Sequence, residues 1–178
     1  GLRIVGEYLV PVEFSLVARP GTRLEDVRVI AAHPVAYAQC LQWLSANLPA
    51  HAHIPASSNV ASAVGLLDGS SNADAAISPP GIIEHHDLGV LASKIGDNAN
   101  AVTRFVLVAR TIAAPDPTGA DKTSLIVELP VDQPGALLEM LEQFATRGIN
   151  LSLLASRPIG DALGRYRFVI DADGHIKD

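Results

Sequence analysis

Apolar and polar positions divide this chain into two stretches with different periods, separated by a segment that has neither. Arg3 to Val10 and Val12 to Ala18 are apolar and β-branched and read as two strands, with Arg19-Pro20-Gly21 as a turn. Val27 to Ala32 reads as a short strand. Pro34 to Leu48 reads as one helix, with Pro34 suited to its first turn and Tyr37, Leu41, Leu44 and Leu48 spaced by 4, 3 and 4. His53 to Ala56 is a further short strand. Ser58 suits an N-cap for a helix to Asp68 that buries Val60, Val64 and Leu67, and Gly69 is its stop. Ala73 to Ser78 reads as a strand ending at Pro79-Pro80, followed by a short helix, and Gly89 to Ile95 as another strand. Phe105 to Ala109 is nearly all apolar and predicts a central strand buried on both faces. Strands alternating with helices imply an α/β arrangement with a largely parallel sheet.

Residues 111–122 (TIAAPDPTGADK) break this pattern with two prolines, a glycine and two aspartates, and read as a linker. A second unit follows. Leu125, Val127 and Leu129 alternate with Ser124, Ile126 and Glu128, which predicts a strand. Asp132 stands at an N-cap position, Leu137, Leu141 and Phe144 carry helical spacing, and Arg147-Gly148 closes that helix. Asn150 to Ser156 and Gly164 to Asp171 complete a βαββ order. The division expected is thus 1–110, 111–122 and 123–178. No internal repeat or low-complexity segment is present.

The chain has 178 residues, 48% of them apolar and 18% charged, as in globular chains that bury a core. A net charge of −6 argues against a nucleic-acid partner. No apolar run reaches the length of a membrane span. The single cysteine, Cys40, excludes an internal disulfide and suits a reducing cytosol, so a cytoplasmic location is expected.

Several residues invite chemistry. Thr103-Arg104-Phe105 at the start of an apolar run is, by itself, an ordinary strand start. His33 precedes a helix and either lines a cleft or bonds a nearby carbonyl. His85-His86 invites a metal reading, but adjacent histidines on a helix do not face one ion. His51 and His53 are expected to be solvated on a loop. Cys40 reads as a small core residue rather than a nucleophile, and Tyr37 and Trp43 as packing residues. Exposed amides after Gly135 would suit an amino-acid carboxylate, or Gly135 is simply a helix cap; Leu137 is expected to serve the core in either case.

Taken in order, these segments resemble the prephenate dehydratase family. Asp132-Gln133-Pro134-Gly135-Ala136-Leu137, then Phe144, then Gly148-Ile149-Asn150-Leu151-Ser152, then Ser156-Arg157-Pro158 are similar to the pattern of its ACT domain, N-x-P-G-A-L … F … G-I-N-L-T-x-I-E-S-R-P. Upstream, Thr103-Arg104-Phe105 matches the family's T-R-F triplet, and His33-Pro34, Gln39-Cys40 and Asn100 fall where the family has similar residues.

The resemblance implies a catalytic lobe like that of type II periplasmic binding proteins, followed by a truncated ferredoxin-like ACT domain. It implies a lyase that converts prephenate to phenylpyruvate in phenylalanine biosynthesis, with no metal or organic cofactor. Thr103, Arg104 and Phe105 would be catalytic, with Phe105 packing to hold the triplet in place, and His33 and Asn100 would touch substrate. Phenylalanine would bind near Gly135, Ala136, Leu137, Asn150, Leu151 and Ser152, in a homodimer or homotetramer. The family's P-I-E-N-S-like segment and the last helix and strand of its ACT domain have no counterpart here, which suggests a fragment. Ala155 stands where the family has Glu, so the geometry of feedback is expected to differ. An arogenate dehydratase would carry the same residues. The competing classes are a non-catalytic amino-acid sensor and, more remotely, the effector-binding part of a transcription regulator.

Overall fold

The structure, a computed structural model, describes residues 2–110, 113, 115–130, 133–160 and 166–178. The Asp132 cap, the start of the last strand at Gly164 and Arg165, and Thr111, Ile112 and Ala114 of the linker lie outside the described residues. The chain is mixed α/β and forms two compact units, 8–105 and 1–7 with 106–178.

The first unit is built on a five-stranded sheet. Its strands are β2 (Ser15–Ala18), β3 (Val29–Ala32), β4 (Ala52–Pro55), β5 (Ala75–Ser78) and β6 (Gly89–Ala92), in the order β4-β3-β5-β2-β6. β3 runs parallel to β4 and β5, but β2 is antiparallel to both β5 and β6, so the sheet is mixed rather than largely parallel. Alternation of elements along a sequence predicts crossovers, and β2 enters the sheet without one.

Helices cover both faces. On one face, Leu16, Ile30 and Ile77 pack with Ala36, Cys40, Leu44 and Leu48, and Tyr37 and Trp43 pack against that cluster. On the other, Val17, Ala31 and Ala76 pack with Ala63 and Leu66. The expected helix over 34–48 is two helices, α1 (Pro34–Ala38) and α2 (Leu41–Asn47). The break has a distant cause. The Asp97 carboxylate accepts from the Gln42 and Trp43 amides at 3.2 and 3.4 Å, while the Asp97 amide donates to the Gln39 carbonyl at 2.7 Å. That carboxylate supplies a new N-cap in the middle of the helical pattern.

Helix α3 (Asn59–Asp68) keeps its expected ends. The Ser58 hydroxyl accepts from the Ala61 amide at 3.0 Å, and Gly69 stops the helix at φ +76°. Its buried face differs from expectation: Ser62, Ala63, Gly65 and Leu66 are buried, whereas Val60 and Leu67 are exposed. Small residues win because the backbones approach closely. A Cβ on Gly65 would lie 3.1 Å from Ser71 Cβ, and the Ser71 amide bonds the Gly65 carbonyl.

Strands β1 (Arg3–Pro11) and β7 (Val102–Ala109) pair only with each other. β7 was expected to be central and buried. It is instead half of a two-stranded ribbon, with Val102, Phe105 and Leu107 more than half exposed. Its apolar run provides surface to bury, yet nearly all of its side chains stay exposed, whereas those of β5 are all buried.

The second unit holds a three-stranded antiparallel sheet of β8 (Lys122–Glu128), β9 (Leu151–Pro158) and β10 (Tyr166–Asp173), with β10 in the centre. Helix α4 (Ala136–Ala145) lies between β8 and β9 in the chain, giving the expected βαββ order. Gly135 precedes α4 at φ +93° and Gly148 follows it at φ +68°, where any other residue would be strained. Leu137 is 39% exposed, so it does not serve a core; the half-buried positions of α4 are Ala136, Met140, Leu141 and Phe144.

Candidate functional site

Three groups of side chains carry the candidate chemistry. The first gathers at the carboxyl ends of the parallel strands, where open α/β sheets place ligands. His33 follows β3 and caps α1, its Nδ1 accepting from the Val35 amide at 3.2 Å. That bond leaves the ring proton of a neutral His33 on Nε2, as a donor. The His33 amide in turn donates to Asn59 Oδ1 at 3.3 Å, fastening the start of α3 to the end of β3.

His51 and His53 are half-buried, not solvated on a loop. The Tyr37 ring stacks on His53 at 3.8 Å with 2° between the planes, and the His53 Nε2–H donates to the Ala32 carbonyl at 3.1 Å. His51 lies 2.9 Å from the Tyr37 hydroxyl through Nε2. Both histidines therefore brace α1 against β3 and β4, a role that their sequence positions did not suggest.

The second group is the triplet Thr103, Arg104 and Phe105, all exposed on β7. Thr103 lies outside the five-stranded sheet, because β7 pairs with β1. Phe105 is 55% exposed and so does not pack to hold the triplet. The triplet is anchored through the backbone: the Val12 amide donates to the Ala101 carbonyl at 2.8 Å, and the Asn100 and Ala101 amides close a turn on Asn98. Asn100 is exposed on that turn.

The third group is the set expected to meet an effector, and the fold divides it. Gly135, Ala136 and Leu137 follow the carboxyl end of β8. Asn150, Leu151 and Ser152 lie beside its amino end, where Lys122 Nζ donates to Ser152 Oγ at 2.9 Å. The ten residues of α4 separate them by about 15 Å at 1.5 Å per residue. Asn150 Nδ2 donates to Asp173 at 2.7 Å, and this bond holds the Asp173 carboxyl below its ordinary range. Lys122 and Asp173 also line a shallow depression with Gly119, Asp121 and Gly174. Sequence reading missed Lys122 and Asp173, because only strand register brings them to Asn150 and Ser152.

Burial, reinforced by the charge of Asp97, pushes the Cys40 thiol up to about 12, so Cys40 stays protonated in the core and is no nucleophile. Among the described residues, no group of three or more His, Cys, Asp and Glu gathers to hold a metal ion, and no helix is long and apolar enough to cross a membrane.

The family model for prephenate dehydratase matches residues 1–113. The chain is 43% identical over 177 residues to prephenate dehydratase from Mycolicibacterium vanbaalenii, covering 99% of this chain and 56% of the relative. It superposes with a TM-score of 0.92, at 54% identity, on the crystal structure of prephenate dehydratase from Arthrobacter aurescens in complex with L-Phe, covering 99% of this chain and 58% of that one. A quorum-quenching acylase shares the fold with a TM-score of 0.82 at 31% identity, covering 98% of this chain and 63% of that one. The chain thus spans little more than half the length of the relatives that it matches.

Proposed function

The chain belongs to the prephenate dehydratase family, and from that premise we propose that it carries part of the machinery that turns prephenate into phenylpyruvate. The observation that supports this most directly is the Thr103-Arg104-Phe105 triplet, exposed on β7 inside the segment that the family model matches. In this reading residues 1–110 are part of a catalytic domain like the type II periplasmic binding proteins, 111–122 are a linker, and 123–178 are part of a ferredoxin-like ACT domain. The location is cytoplasmic.

Prephenate is a dianion whose ring becomes aromatic when water and CO2 leave together. The protein must therefore orient the substrate and help the hydroxyl depart. The Thr103 hydroxyl hydrogen-bonds the departing oxygen, or relays a proton to it from a more acidic group, since threonine itself is a poor acid. The planar guanidinium of Arg104 suits a substrate carboxylate. Phe105, exposed as it is, supplies an apolar surface beside the ring. His33 offers its Nε2 proton and Asn100 its side-chain amide to the substrate.

The effector is L-phenylalanine, as in the complex of the Arthrobacter relative. Because Gly135–Leu137 and Asn150–Ser152 lie at opposite ends of one unit, one effector molecule meets both sets only when two copies pair. A homodimer, or a tetramer of two such pairs, follows. Ala155, half-buried on β9, removes the carboxylate that the family carries at that position.

The test is phenylpyruvate formation from prephenate by a protein of the relatives' length that contains this chain, with and without L-phenylalanine. Formation that L-phenylalanine suppresses supports both parts of the reading. No formation returns the protein to the sensor class.

A further inference from the structure

Helix α3 begins at the same end of the sheet at which β3, β4 and β5 finish, because it follows β4 directly and β5 follows it. Its own bonding leaves part of that end open. The Ala61 amide is taken by the Ser58 hydroxyl and the Ser62 amide by the Ser58 carbonyl, so the Asn59 and Val60 amides await an outside acceptor. A second feature lies on the same face. Ser78, the last residue of β5, is fully buried, and its hydroxyl has no hydrogen-bond partner. By strand alternation Ser78 shares the face of Ala76, which packs against Ala63 and Leu66 of α3. Ser15 lies directly opposite Ser78 on β2 and is also buried.

An orphaned hydroxyl in a packed interior is costly, and sites that bind ligands are where such groups persist. The donors at this end are two amides at a helix N-terminus, the Nε2 proton of His33, which is tied to Asn59, and the Ser78 hydroxyl. Continuing the register of Ile30 with Ala75 and Ala31 with Ala76 brings Ser78 level with His33, and each of these groups can donate to negative charge. Residues 56–64 carry no charged side chain, which suits one carboxylate rather than a phosphate dianion.

We infer that the start of α3 is a carboxylate-binding subsite formed by the Asn59 and Val60 amides, His33 and Ser78. This deepens the proposed function and rests on it for the identity of the ligand: the subsite holds one of the two carboxylates of the substrate. The other is left to Arg104.

The test titrates the 178-residue chain with acetate, and separately with phenylpyruvate, while following backbone amide resonances. Both probes are expected to shift the Asn59 and Val60 amides saturably. Ser78→Ala is expected to weaken binding about tenfold, the usual worth of a hydrogen bond to a charged group, without lowering the melting temperature. Shifts confined to other residues overturn the inference, and the parent chain alone decides that. Equal affinity in Ser78→Ala also overturns it, since an internal water would then serve the hydroxyl. If acetate binds as expected but a protein of the relatives' length containing this chain forms no phenylpyruvate, the subsite stands and the prephenate reading falls. Turnover with no shift at Asn59 gives the reverse.

Discussion

Strand β5 (Ala75–Ser78) is wholly buried, whereas β7 (Val102–Ala109), with a longer apolar run, exposes most of its side chains. The difference lies in their neighbours. β5 is paired on both edges, by β3 and β2, and helices lie on both of its faces. β7 has one partner strand, and a two-stranded ribbon is marginal by itself in water. An apolar run states what a strand needs covered; other segments decide whether it is covered. The same contrast separates two kinds of chemistry. Ser78 is preorganised within a packed sheet, while the Thr103 triplet lies on an open ribbon. A reaction that expels water and CO2 from a dianion gains from exclusion of solvent. Full turnover is therefore expected of a protein of the relatives' length, and only slow turnover or none from these 178 residues.

Single substitutions test how differently the two strands are held. Ile77→Ala, in the core of β5, is expected to cost about 2–5 kcal/mol of stability in urea denaturation. Thr103→Ala in the longer protein is expected to lower turnover at least about 10²-fold, roughly 2.7 kcal/mol, with an unchanged melting temperature. Asp97→Ala removes the cap of α2 and should cost about 1 kcal/mol. Leu107→Ala on β7 should stay within about 0.5 kcal/mol, as exposed positions do. If Leu107→Ala matched Ile77→Ala, the two strands would not differ as described. The smallest expected signal is that of Cys40. With its thiol held near 12 in the core, it should resist alkylation at pH 8 and react fully once the chain is denatured.

Local signals carried much of the fold. Ser58 and Gly69 bound α3 as their capping chemistry requires, and the alternation of Leu125 and Val127 marks β8. What sequence hid was set from a distance. The break between α1 and α2 comes from Asp97, more than 50 residues away. The buried face of α3 is its small-residue face, because the turn at Ser70 and Ser71 lies too close for larger side chains.

The candidate site was partly legible. The Thr103 triplet was visible as a motif, but its exposure, that of Phe105 included, was not. His51 and His53 looked like loop residues until Tyr37 was found stacked on His53. The residues expected to meet the effector are read from a pattern along the chain, yet their separation by the length of α4 appears only in three dimensions. Ser78 gave no signal, since a serine before two prolines is an ordinary strand end.

The most direct test of the account is the rate of phenylpyruvate formation from prephenate by the longer protein, beside its Thr103→Ala variant at equal folded concentration. With Thr103 at the leaving hydroxyl, product is expected from the parent and at least about a 10²-fold slower rate from the variant. Equal rates, or no product from either, would contradict it.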